Sequence, residues 1–143
     1  MTDSGLADLL SQQLIRLDQL LALLEQETDA LVQRDVDLIE QLLKRKLTML
    51  DEVKAADDTL GRHPQRALLK TDPTLAEQVE QGKDKLVQCQ QRNAHNQEQA
   101  ELVAASLTRL QQVLQSAHKS HAMTYTGEGG THVGQRLGRT IKA

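Results

Sequence analysis

A seven-residue repeat of mostly apolar positions runs unbroken from residue 75 to residue 117. It forms two adjacent rows, Leu75, Gly82, Cys89, Asn96, Val103, Leu110 and Ala117 in one and Val79, Leu86, Asn93, Ala100, Leu107 and Leu114 in the other. This spacing predicts one helix from 73 to about 119, roughly 70 Å long at 1.5 Å rise per residue. Because so long a helix must pack along other long helices, the repeat predicts an elongated antiparallel helical bundle or coiled coil.

The composition points to the same class. The 143 residues include no Trp and no Phe, and Tyr125 is the lone aromatic, so Leu and Val must fill the core. The abundant residues, among them Leu, Gln, Glu, Lys, Arg and Ala, are good helix formers. Gly and Pro are scarce before residue 126, which excludes most turn-rich β folds. We therefore predict an all-α protein with three long helices and possibly a short fourth.

The N-terminal part carries leucines at three- and four-residue steps, which predicts a helix over about 3–33 whose broad apolar stripe can contact two partners. These are Leu6, Leu10, Leu14, Leu17, Leu20, Leu21, Leu24 and Leu31. Asp35 can cap a second helix over 36–60. One unbroken helix over 3–60 also fits the spacing. It would span about 85 Å and need an equally long partner, so we favour a helical hairpin.

The ends of the remaining segments carry clear signals. Gly61 followed by Pro64 ends the second helix and opens a connector over 61–72, in which residues 66–70 can form one short turn. Asp72 can cap the last helix, and Pro73 suits its first position. Residues 120–143 are rich in glycine and poor in apolar residues, so we expect a helical domain over 1–119 followed by a mobile tail over 120–143.

Charge and hydropathy exclude several classes of protein. The net charge is −3, and no basic patch interleaved with aromatics indicates a nucleic-acid partner. No apolar run approaches the roughly 18–20 residues of a membrane span, so we expect no membrane insertion. The N-terminus lacks the basic and apolar blocks of a signal peptide. Cys89 is the single cysteine, so no internal disulfide can form. These features predict a cytoplasmic protein.

No residue pattern indicates catalysis, a metal or a cofactor. His118 and His121 can share a helix face, but no further ligand joins them at metal-binding spacing. His95 lacks the sequence context of a phosphotransfer histidine. Cys89 lies on the repeat and is more typical of a buried structural thiol than of a nucleophile. We therefore predict a protein that is not an enzyme and acts by binding other proteins.

Two consecutive polar positions, Asn93 and Asn96, interrupt the apolar repeat. An asparagine in such a seam lowers stability but fixes helix register. The alternative is an amide pair that hydrogen-bonds a partner or a facing helix. Gly82, in the same seam, permits a close approach between helices at a cost of roughly 1 kcal/mol relative to Ala.

Three motifs in order resemble signatures of the FlgN family of flagellar export chaperones. The first is the run 27–35 followed by Ile39, Leu42, Lys46 and Leu50, the second is Cys89 with Asn93 and Asn96, and the third is Thr124, Tyr125 and Gly129. Gln97 stands where the family often has glycine, which leaves a close backbone approach there in doubt. The resemblance covers most of the chain.

The resemblance implies a function and partners. Such chaperones hold the hook–filament junction proteins FlgK and FlgL in the cytoplasm, bind their terminal helical segments, and deliver them to the export gate protein FlhA. The C-terminal part holds the substrate, and the tail tyrosine, here Tyr125, is implicated in docking at the gate. The expected substrate-binding residues are those of the apolar end of the last helix: Val103, Leu107, Leu110, Val113 and Leu114. The main alternative is a generic coiled-coil scaffold or regulatory adaptor that acts by self-association.

Overall fold

The structure is a computed structural model that describes the backbone of residues 2–121 and the side-chain surroundings of residues 5–119. Four helices follow one another: α1 (Thr2–Gln33), α2 (Val36–Gly61), α3 (Leu68–Thr71) and α4 (Pro73–His121). Over 2–121 there is no strand, and the predicted all-α bundle with three long helices and a short fourth is confirmed. Residues 122–143, including most of the predicted tail and Tyr125, lie outside the described residues.

The structure decides between the hairpin and the single long helix in favour of the hairpin. Arg34 takes a positive φ of 57°, and its N–H donates to Leu31 O at 3.2 Å. The N–H of Asp35 donates to Ala30 O at 3.0 Å, which completes a Schellman motif at the end of α1. The Asp35 side chain then accepts from Leu38 N at 3.2 Å and caps α2. Two residues therefore reverse the chain direction.

Helix α1 lies in the middle of the bundle, antiparallel to α2 and parallel to α4. Gln13 of α1 donates to Val53 O of α2 at 2.9 Å. Cys89 of α4 lies against Leu17 O. The buried residues of the main core come from all three long helices: Leu20, Leu23, Leu24, Ala30, Leu31, Ile39, Leu42, Cys89, Ala100 and Val103. The broad apolar stripe of α1 therefore packs against α2 on one side and against α4 on the other, as its width predicts.

Because α1 separates them, the backbones of α2 and α4 do not pack directly against each other over the described helices. This explains why the first row of the seven-residue repeat is better covered than the second between residues 75 and 96. Leu75, Cys89 and Asn96 are buried, whereas Leu86 of the second row is 41 % exposed. A shallow groove remains between α2 and α4.

A smaller core closes the end of the bundle that holds the connector. Leu6 and Leu10 of α1 pack with Leu60 of α2 and Leu75 of α4, and Leu68 and Leu69 of α3 cover them from outside. The side chain of Asp72 accepts from Leu75 N at 3.2 Å, so Asp72 caps α4 as predicted. The connector is therefore held against the start of α4.

At the opposite end of the bundle, α4 extends beyond the α1–α2 hairpin. The side chains of Cys89 and Asn96 bond carbonyls 72 residues earlier in α1, at Leu17 and Leu24. The same offset places Gln33, the last residue of α1, level with Ala105. Ala104 is the last buried residue of α4 among those whose side chains are described. The helix continues to His121, which adds about 25 Å beyond the hairpin at 1.5 Å per residue.

Candidate functional site

A buried polar network joins the three long helices at one level. Lys46 of α2 donates to both carboxylate oxygens of Glu27, at 3.1 Å to Oε1 and 2.9 Å to Oε2. Its third donor reaches Asn93 Oδ1 of α4 at 2.9 Å. The ammonium group thus uses all three of its N–H donors within the protein.

Asn96 of α4 completes the network from the other side. Its Nδ2 donates to Glu27 Oε1 and to Leu24 O, both at 2.8 Å. Its Oδ1 accepts from the Thr28 hydroxyl at 2.6 Å. Asn96 is 1 % exposed and Glu27 is 6 % exposed. These are the bonds to a facing helix that the second explanation of the amide pair predicts, and they also fit register control, because the donors and acceptors meet only in this alignment.

The network pairs its charges internally. The Glu27 carboxylate accepts from an ammonium and an amide, which is typical of a structural ion pair and not of a free general base. The groove between α2 and α4 reaches it from outside, between Leu47 and Leu50 on one wall and Gln97 on the other. Leu47 and Leu50 are 51 % and 41 % exposed. Sequence reasoning did not predict this groove. Leucines at 43, 47 and 50 could have indicated it, because α2 carries them in addition to the apolar residues that it buries against α1.

The apolar end of α4 contains the residues expected to bind a substrate protein. Leu110, Val113 and Leu114 are 55 %, 59 % and 60 % exposed, and Leu107 is half-buried against the main core. We call these four side chains the distal surface. Val103 does not belong to it, because it is 6 % exposed and lies in the main core. Val103 can support the surface from below but cannot contact a partner directly.

Cys89 lies inside the bundle, where its thiol donates to Leu17 O at 3.6 Å. Burial raises the pKa of the thiol above its ordinary value of 9.0, Asp18 raises it further, and Lys85 opposes the shift. The neutral thiol is therefore the stable form at physiological pH, which is what a structural cysteine requires and a nucleophile does not.

The part of the chain that the structure describes offers no metal site and no membrane span. No three side chains of His, Cys, Asp or Glu group there in a way that could hold a metal ion. The helices of this part include none with the combined length and apolar content of a membrane span. Tyr125 and the side chain of His121 lie outside the part whose side chains are described, so the structure places neither.

A family model described as FlgN protein matches residues 1–132. The chain belongs to the FlgN family. Comparisons with curated proteins and with solved structures each gave no match. FlgN proteins are flagellar export chaperones and not enzymes, and in general they bind flagellar hook-associated proteins. Membership therefore gives this chain the general role of a flagellar export chaperone.

The FlgN resemblance and the polar network involve the same residues. Glu27 and Lys46 belong to the first motif, and Asn93 and Asn96 to the second. All four meet in the network that sets the alignment of the helices. The first two motifs therefore supply the residues that align the three long helices.

Proposed function

We propose that this FlgN protein binds the terminal helical segments of FlgK and FlgL on the distal surface, prevents their premature assembly, and delivers them to the export gate protein FlhA. The observation that carries the proposal is the exposure of Leu110, Val113 and Leu114 on a helix that extends past its own hairpin. Apolar side chains clustered in this way are typical of an interaction surface.

A helical client suits this surface. An amphipathic segment detached from its assembly exposes apolar side chains that would otherwise aggregate, and laying it along another helix covers both apolar faces. Because α1 ends at Gln33, level with Ala105, a client helix can approach α4 beyond that level without displacing α1 or α2. The groove between α2 and α4 begins near Ala100 and offers further apolar contact at Leu47.

Charge adds to the selectivity of the C-terminal end of α4. From Leu102 to His121 the chain contains the bases Arg109 and Lys119 and no acid. A client helix with acidic residues beside its apolar stripe therefore fits better than one with basic residues, and binding should weaken as salt screens the charges.

Heteronuclear NMR of the full chain with and without FlgK tests the location. Amide resonances of residues 103–117 should shift on addition of FlgK, while those of the N-terminal half of α4 should not. Unchanged resonances over 103–117 in a mixture that nevertheless contains the complex would overturn the distal surface as the client site.

Docking at the gate is proposed for Tyr125, by resemblance to the family's tail tyrosine. A single aromatic ring can anchor a segment that contributes little other contact area. Replacing Tyr125 with Ala should impair export of FlgK and leave its affinity for the chaperone nearly intact. Loss of FlgK affinity in this variant would reassign Tyr125 to the client site.

Self-association is the competing function, and the exposed positions of the repeat at Leu110 and Leu114 favour it. Mass measurement separates the two. A scaffold forms a stable oligomer by itself, whereas a chaperone forms a complex of defined stoichiometry with one client. Light scattering of the free chain and of its mixture with FlgK therefore tests the proposal.

A further inference from the structure

The connector forms a second groove at the opposite end of the molecule from the distal surface. It lies between residues 61–71 and the first turns of α4. Leu69 and Val79 form its floor and are half-buried against the smaller core. Ala67 and Ala76 also line it, and these small side chains leave its apolar floor open. We call it the connector groove.

The rim of the connector groove carries three cations and one acid, Glu80. Arg66 and Lys70 line it from the connector and are exposed, and neither forms an ion pair with another residue of the described part of the chain. Lys83 adds a third cation from α4. Its ion pair with Glu80, at 3.3 Å with both side chains about two-thirds exposed, is weak.

This basic rim contrasts with the charge of α1. Residues 61–71 contain Arg62, Arg66 and Lys70 and no acid, whereas α1 has Arg16 as its one base against six acids. A local excess of positive charge on a chain of net charge −3 attracts and orients an acidic partner.

We propose that the connector groove docks an acidic amphipathic segment of a second protein, distinct from the client on the distal surface. The apolar floor takes the partner's apolar side chains, and Arg66, Lys70 and Lys83 pair with carboxylates beside them. A protein segment fits better than a membrane, because the site is concave and carries no aromatic or large apolar side chain that protrudes into lipid.

The two surfaces are far enough apart to be occupied together. Val79 and Leu110 are 31 residues apart on one helix, which corresponds to about 47 Å at 1.5 Å per residue. A short client helix on the distal surface cannot reach the connector groove. The chaperone can therefore hold its client at one end and a second protein at the other, which goes beyond the proposed client binding.

Two designed peptides of 15 residues probe the groove. Both carry Leu at helical i, i+3, i+4 and i+7 positions, and they differ in having Glu or Lys at the flanking positions. Each is titrated into the isotope-labelled full chain. The Glu peptide should shift amides over 61–83 and the Lys peptide should not. Equal effects of the two peptides, or no effect over 61–83, would contradict the proposal.

Charge reversal provides the matched comparison. R66E/K70E should weaken binding of the Glu peptide at the groove at least tenfold, and K44E/R45E, which reverses two exposed cations on α2, should not. If circular dichroism shows that R66E/K70E does not fold, R66A/K70A replaces it. This variant should also weaken binding of the Glu peptide. Affinity for FlgK should be unchanged in both variants, so failure here leaves the client proposal standing.

Vesicles of phosphatidylcholine and phosphatidylglycerol test the membrane explanation. The chain should not sediment with them at physiological salt. Sedimentation that R66E/K70E abolishes would overturn the protein partner in favour of an anionic lipid surface.

Discussion

Asn96 Nδ2 lies 2.8 Å from Glu27 Oε1, and this bond fixes α4 against α1 at the level where Lys46 of α2 binds the same carboxylate. A shift of any of these helices by one turn would leave a charge or an amide buried without a partner. The arrangement sets the length by which α4 extends past Gln33, and hence the extent of the distal surface.

Replacing Asn96 with Leu should destabilise the fold by about 2–4 kcal/mol, because the buried Glu27 carboxylate loses a hydrogen-bond donor that Leu cannot replace. Urea unfolding followed by circular dichroism measures the change. Asn93→Leu is the control. Asn93 is only half-buried and serves one bond from Lys46, so its loss should be about 1 kcal/mol or less. Equal losses of unfolding free energy in Asn96→Leu and Asn93→Leu would contradict the larger contribution assigned to Asn96.

Lys46→Met should destabilise the fold by about 3 kcal/mol, because it leaves the Glu27 carboxylate buried without its cation. The double variant E27L/K46M should be more stable than Lys46→Met alone, since it removes the uncompensated charge as well. The measurement is the free energy of unfolding of Glu27→Leu, Lys46→Met and the double variant. Simple additivity of the two single effects would show that the pair is not coupled.

Helix existence and bounds followed from the sequence because local signals specify them. Apolar periodicity and the Asp35 and Asp72 caps act over a few residues, and the observed bounds lie within two residues of those expected for the three long helices. Gly61, expected just past the end of α2, is instead its last helical residue, and Arg62 follows as the cap. The hairpin was harder to foresee, since Arg34 gives no glycine-like signal at a positive φ.

The network and the grooves depend on how helices are arranged, which a single sequence does not specify. The sequence marks Asn93 and Asn96 as unusual, but Thr28, which bonds Asn96, carries no pattern of its own. The sequence places Val103 with the client-binding residues one heptad before Leu110 in the same row, whereas the bundle buries it. A residue of the α4 repeat is covered only where α1 lies beside it. The register of α1 against α4 decides which residue of α4 lies level with the end of α1.

Arg34→Gly should stabilise the fold by about 0.5–1 kcal/mol, because glycine adopts a positive φ without the steric cost that a Cβ brings. Thermal unfolding should show a higher midpoint. Gln33→Gly, one residue earlier and still helical, is the control and should destabilise by about as much. A fall in stability with both substitutions would mean that the Arg34 side chain contributes more than its backbone costs.

Cys89 should react slowly with a thiol reagent at pH 8 in the folded chain and rapidly in urea, because burial raises the pKa of the folded thiol. Above pH about 9 the unfolded thiol ionises while the folded one stays protonated, so stability should fall as pH rises through this range. Unfolding at pH 8 and pH 10 measures the decline, which should be smaller in Cys89→Ala. An identical decline in both proteins would contradict the shift.

The double variant L110E/L114E should keep the stability of the parent chain within about 0.5 kcal/mol, because both side chains are more than half exposed. The matched control is Val87→Glu, which changes an apolar side chain 48 % exposed on the same helix but far from the distal surface. Unfolding in urea should give similar free energies for all three proteins, which makes their binding properties comparable.

The central measurement is the calorimetric titration of FlgK into the parent chain, L110E/L114E and V87E. Client binding on the distal surface predicts at least a tenfold loss of affinity in L110E/L114E, because two carboxylates would be buried against the client's apolar stripe, and no loss in V87E. Full affinity in L110E/L114E, with all three proteins folded, would contradict the proposed client site.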